Sequence, residues 1–91
     1  MIVKIMDYGD AGDGKFIDYE VVGLAPDQRE FLNANLEEET SIDGESLKLR
    51  MFFSEDLYPF QSDVAKYRLD DFIAREEIEM NVFLSSILED M

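Results

Sequence analysis

The chain has 91 residues, with 8 Lys+Arg against 22 Asp+Glu, a formal net charge of −14, and no His or Cys. That excludes disulfides, thiol nucleophiles, Cys- or His-ligated metals and Ser-His-Asp catalysis, and it disfavours direct contact with nucleic acid or an anionic membrane. The 28 Leu, Ile, Val and Phe residues make up more than the roughly 20% below which a highly charged chain stays disordered, so one folded acidic domain over 1–91 is expected.

Residues 1–7 (MIVKIMD) alternate weakly and are rich in Ile and Val, which predicts a first strand. The glycines of GDAGDG (9–14) predict a turn, and 15–22 (KFIDYEVV) a second strand with Ile17, Tyr19 and Val21 on one face. Residues 1–22 therefore read as an antiparallel hairpin. Pro26 suits the first turn of a helix, Asp27 and Glu30 suit its positive N-terminal end, and Phe31, Leu32 and Leu36 make a short apolar stripe. A helix over roughly 26–37 follows.

Asp43-Gly44 is a hairpin turn signal. After it Leu47, Leu49, Met51 and Phe53 alternate with Lys48, Arg50 and Phe52 as a strand, which can pair with a short strand near 39–42. Residues 54–62 (SEDLYPFQS) read as a loop, because Pro59 discourages a helix there. From Leu69 onward, helical spacing places Leu69, Ile73, Met80, Leu84, Ile87 and Met91 on one side, with Phe72 and Phe83 at the margin. Glu76 falls inside this apolar arc, and Glu77–Leu84 also alternates as a strand would. The helical pattern persists for over twenty residues and is the preferred reading. The expected fold class is α+β: an N-terminal β-hairpin, a short helix, a further strand or hairpin, and a long C-terminal helix.

Chemistry-bearing patterns are sparse. Asp7, Asp10 and Asp13-Gly14 have some of the residues of a calcium loop, but the alternate positions carry Gly9 and Ala11. Gly14-Lys15 is followed by Phe16 and a strand, where a phosphate loop needs Ser or Thr and a helix. Acidic pairs are abundant by composition alone, and a body this small offers little room for a pocket that excludes water. No catalytic residue, metal or cofactor is expected, and the function is expected to be non-enzymatic. The start of the chain is interrupted by Lys4 and stopped by Asp7, which is not the apolar core of a signal peptide, and no apolar run approaches ~18 residues. The expected compartment is the cytoplasm, the host's if the protein is viral.

The charge is spread evenly, −4 over residues 1–30 and −5 over each of 31–60 and 61–91, so it belongs to the folded surface and not to a tail. Carboxylates three or four apart on a helix lie about 5–6 Å apart at Cβ, and on one strand face about 7 Å apart. Asp18 and Glu20, Asp27 and Glu30, the run Glu37, Glu38 and Glu39, then Glu55, Asp56, Asp70, Asp71, Glu76, Glu77 and Glu79 are the candidate residues for imitating a row of phosphates. Ile78 and Val82, opposite the main apolar face, are candidates for a homodimer contact.

In being small, single-domain, strongly acidic and free of cysteine, the chain resembles phage-encoded DNA-mimic inhibitors, among them the Arn-type anti-restriction proteins and some anti-CRISPR proteins. The resemblance rests on size and charge over the whole chain. It implies an inhibitor that occupies the basic DNA-binding cleft of a host restriction or CRISPR nuclease, or of a nucleoid protein. The alternative is an adaptor or regulatory module held through an apolar patch, with Ile78 and Val82, or Phe52, Phe53 and Tyr58, as anchors.

Overall fold

A computed structural model of the protein describes residues 1–12, 14–53 and 69–91. Among the described residues four strands and two helices follow in chain order: β1 (Ile2–Ala11), β2 (Gly14–Val22), α1 (Pro26–Asn35), β3 (Glu39–Asp43), β4 (Ser46–Phe53) and α2 (Leu69–Leu88). All strand pairings are antiparallel, in the order β1-β2-β4-β3. The α+β class and the element order agree with the sequence-based expectation, and Glu77–Leu84 is helix. The expected loop over 54–62 lies outside the described residues.

Three boundaries differ from the expectation. β1 does not end at Asp7 but runs to Ala11, because cross-strand partners sustain it. Phe16 lies opposite Gly9, close enough that a Cβ at Gly9 would meet its ring at 3.7 Å, and Lys15 forms an ion pair with Asp10. A β-bulge between Ile5 and Asp7 shifts the register midway, adding twist to a long strand. α1 ends at Asn35, not at residue 37. Its last turn carries no base and Glu37, Glu38 and Glu39 come next, so like charge meets the negative end of the helix dipole. α2 ends at Leu88, leaving Met91 exposed and not in the apolar arc.

One face of the sheet is covered. Val3, Ile17, Tyr19, Val21, Leu47 and Leu49 point inward and meet Leu24, Leu32 of α1, and Met80 and Leu84 of α2 in a single buried cluster. α2 packs on β1, α1 on β3 and β4, and the helices touch each other. Local devices fix the helix positions. The Ala25 N–H donates to Gln28 Oε1 at 2.9 Å, closing the N-terminus of α1. Arg29 donates to the carbonyls of Leu24 (2.8 Å) and Glu45 (3.4 Å), tying α1 to the β3–β4 turn. In that turn Gly44 has φ +62°, at the first position of a two-residue loop where glycine is favoured.

Candidate acidic interaction surface

Among the described residues, the sheet face away from the helices mixes acids with bases in its middle rows and carries Phe16 opposite Phe52 beyond them. Strand register places Lys4, Glu20, Lys48 and Ser41 in one row, and Asp7, Asp18, Arg50 and Glu39 in the next. Opposed residues on adjacent strands are close neighbours, about 4.5–5.5 Å apart at Cβ. Arg50 Nε donates to Asp18 Oδ1 at 2.6 Å and its Nη2 to Oδ2 at 2.8 Å, while its guanidinium lies 4.3 Å from the Phe16 ring centroid. Lys48 Nζ approaches Asp43 Oδ2 at 3.3 Å. Asp18 is therefore bound to a cation, Glu20 sits between two lysines, and Glu39 faces Arg50. These three of the expected phosphate-imitating residues carry local countercharge.

The helical side differs. Asp27 and Glu30 on α1, Glu37 and Glu38 after it, Glu45 in the turn, Asp71 and Glu79 on α2, and Glu89 and Asp90 beyond it belong to the helices or the segments beside them, where only two bases are described, Arg29 and Arg75. Arg29 is spent on backbone carbonyls, and Arg75 stands over Phe72 at 5.5 Å. All three salt bridges among the described residues lie on the strands or their turns. Asp27, Glu30, Glu37 and Asp71 are exposed and Glu38 is half-buried. Glu55, Asp56 and the Asp70 side chain lie outside the described residues, as does Tyr58.

Two of the expected α2 acids face other tasks. Glu77 Oε2 accepts the Ile5 N–H at 2.8 Å, beside the β1 bulge. Glu76, the acid within the apolar arc, is half-buried in a hollow of about 210 Å³ shared with Tyr19, Met51, Phe53, Glu79, Met80 and Phe83. Burial raises the Glu76 carboxyl above its ordinary range, and the neighbouring Glu79 charge adds to this, against the lowering effect of Arg75. Tyr19 is likewise pushed up, by burial first and then by Glu76, Glu79 and Glu77. Among the described residues no three acidic side chains converge as a metal site, and no helix is long and apolar enough to cross a membrane.

Among the described residues, three exposed apolar side chains gather beside β1 and α2, while Met6, Ile42 and Phe52 are exposed elsewhere. Ile78 and Val82 of α2 are 65% and 64% exposed and Ile2 is 55% exposed. All three border a groove of about 410 Å³ between β1 and α2, which Met1, Ala74 and Asn81 also line. Of the aromatic anchors expected near β4, Phe52 is exposed on the uncovered sheet face and Phe53 is half-buried at the core margin. Sequence reasoning missed the cations beside Asp18 and Glu20, because the signal is cross-strand register, and it missed Ile2 as a neighbour of Ile78, because that depends on how α2 packs on β1.

No curated protein matches the chain. A family model described as a family of unknown function covers residues 2–90, and by that match the chain belongs to the family DUF5750.

Proposed function

We propose that this protein is a DNA mimic that occupies the basic nucleic-acid-binding cleft of a partner protein, such as a nuclease or nucleoid protein, through its helical side. The observation that carries this reading is the segregation of charge. On the sheet face away from the helices Lys4, Lys48 and Arg50 stand among the acids and two of these, Asp18 and Asp43, form ion pairs, while none of the acids on the helical side has an ion-pair partner among the described residues. Unmatched carboxylates on a folded scaffold repel one another and cost stability, a cost that a cationic cleft relieves on binding.

Magnitudes set the scope of the imitation. The longest dimension is 40 Å, over which duplex DNA carries about 24 charges. The net charge of −14 is rather more than half of that, enough to imitate roughly seven base pairs. Such binding is steered at long range and weakened by salt. Fixed carboxylates avoid the ordering cost that a disordered acidic tail incurs.

The test is capture of partners from bacterial lysate at about 50 mM salt, with elution by duplex DNA or by about 200 mM salt. The reading expects a DNA-handling protein that duplex displaces, and that a variant carrying Asp27→Lys, Glu30→Lys, Glu37→Lys and Glu38→Lys no longer captures. A partner that survives duplex competition, or that the variant still retains, overturns it.

A further inference from the structure

The groove between β1 and α2 has a wall of unusual kind. Its floor is the edge of the sheet, where an exposed strand ordinarily offers its backbone to an added strand. Here α2 has taken two of those groups. Asn81 Nδ2 donates to the Met1 carbonyl at 3.3 Å, and Glu77 accepts the Ile5 N–H at 2.8 Å. An extended peptide laid in the groove finds its backbone partners at residues 1 and 5 already occupied. A helix, which satisfies its own backbone, loses nothing to those two contacts.

The charge around the groove selects which helix. On α2 the exposed pair Ile78 and Val82 lies midway between Asp71 and Glu89, each seven residues from the nearer member of the pair. Seven residues are close to two helical turns, about 10.5 Å along the axis, so all four share one outward stripe, and Glu77 lines the groove beside them. A second copy of this chain docking by two-fold symmetry would place Ile78 against Val82. The same symmetry sets Asp71 against Glu89 at both ends, with a charge of −14 on each body. Arg75, the base on this stretch of helix, stands over Phe72. The apolar centre therefore suits a helix but the acidic ends reject a copy of the chain, and a helix with Lys or Arg at those ends is accepted.

We infer that the β1–α2 groove is a docking site for a cationic amphipathic helix of a partner protein, whose apolar residues seat on Ile2, Ile78 and Val82 and whose Lys or Arg side chains meet Asp71, Glu77 and Glu89. This inference takes only the sign of the partner's charge from the DNA-mimic reading, and names the chemistry that a basic cleft presents at its margin.

The probe is a labelled synthetic helix of about 20 residues, made of Ala, Leu and Lys with its leucines on one face, alongside a scrambled peptide of the same composition. Titrated with the full chain, the amphipathic peptide binds more tightly than the scrambled one and shifts the amide NMR signals of Ile2, Ala74, Ile78 and Val82. The double variant Ile78→Ser and Val82→Ser, both at exposed positions, weakens it at least about tenfold while the scrambled peptide is unaffected. Equal binding of the two peptides, an unchanged affinity in the double variant, or a wild-type dimer that the double variant dissolves each overturns the inference. Groove-dependent peptide binding by a chain whose captured partners ignore duplex DNA leaves the docking site standing and the mimicry refuted. The converse pattern, with duplex-displaced capture but no groove dependence, refutes the docking site alone.

Discussion

Glu77 and Ile5 stand 72 positions apart in the chain, yet the carboxylate of the first accepts the backbone N–H of the second at 2.8 Å. The bulge between Ile5 and Asp7 disturbs the regular ladder of β1, and an unpaired donor at a partly buried edge is costly. Glu77 answers that donor from α2, and the same contact holds the helix over the strand. Removing the acceptor by Glu77→Ala is expected to cost about 1–3 kcal/mol, whereas Glu77→Gln, which keeps a carbonyl acceptor, costs less than half as much. Urea unfolding midpoints check the ranking. Amide hydrogen exchange at Ile5 separates this contact from a general loss of helix stability, since that amide should exchange faster in Glu77→Ala before the rest of β1 does.

Leu84 is fully buried where α2 meets the inner face of the sheet. Leu84→Ala removes that anchor and is expected to destabilise by about 2–5 kcal/mol, a large share of the roughly 5–15 kcal/mol available to a domain of this kind. Val82→Ala, two positions away on the exposed face, should change the midpoint little. A thermal melt followed by far-UV circular dichroism distinguishes the two; similar losses at both sites contradict the packing of α2 described above.

Much of the architecture was legible because local signals and tertiary packing agree. The Ile17, Tyr19, Val21 alternation and the Leu47, Leu49, Met51 alternation lie on the same inner face, and the hairpin turn signalled by Asp43-Gly44 forms one position later, with Gly44 and Glu45 in the loop and Asp43 paired with Ser46. The end of β1 was misread because Gly9 has turn character alone, and its strand conformation depends on Phe16 and Lys15 across the hairpin. The candidate site was legible in its charge but not in its distribution. Nothing local to Asp18 announces Arg50, 32 residues away, and nothing local to Glu77 announces Ile5. Glu76 did signal itself, as a lone acid in an apolar arc, and the structure places it in a partly apolar hollow.

The Asp18–Arg50 pair is expected to be intolerant of lysine. Asp18 lies opposite Asp7 on one side and Arg50 on the other, so the bidentate guanidinium ties β4 to β2 and offsets the charge of a carboxylate that also faces Asp7. Lysine keeps the charge but loses the paired N–H donors and the stacking over Phe16. Arg50→Lys should lower the melting temperature, and Asp18→Asn in the Arg50→Lys background should recover part of the loss by removing the repulsion with Asp7. No recovery in the double variant would show that repulsion between Asp18 and Asp7 adds nothing to the loss.

Stability is expected to fall as pH rises from the ordinary carboxylate range toward neutrality, and Glu76 is a specific source of that slope. Its carboxyl is held above its usual value by burial and by Glu79, with Tyr19 of β2 beside it and only Arg75 opposing. A carboxyl raised in the folded state keeps its proton at a pH where the unfolded chain has already released it. Between the unfolded and folded values the folded state binds more protons, so raising the pH favours unfolding. Glu76→Gln removes the titrating group, retains an amide able to donate to Glu79, and should be more stable than wild type at pH 7 but not at pH 4. Urea midpoints from pH 4 to 8 should therefore converge for the two proteins at the acid end and separate above it. The remaining slope in Glu76→Gln reports the mutual repulsion of the other carboxylates, which added salt weakens. Parallel curves for the two proteins across the whole range would show that the acid in the hollow exerts no pull on folding.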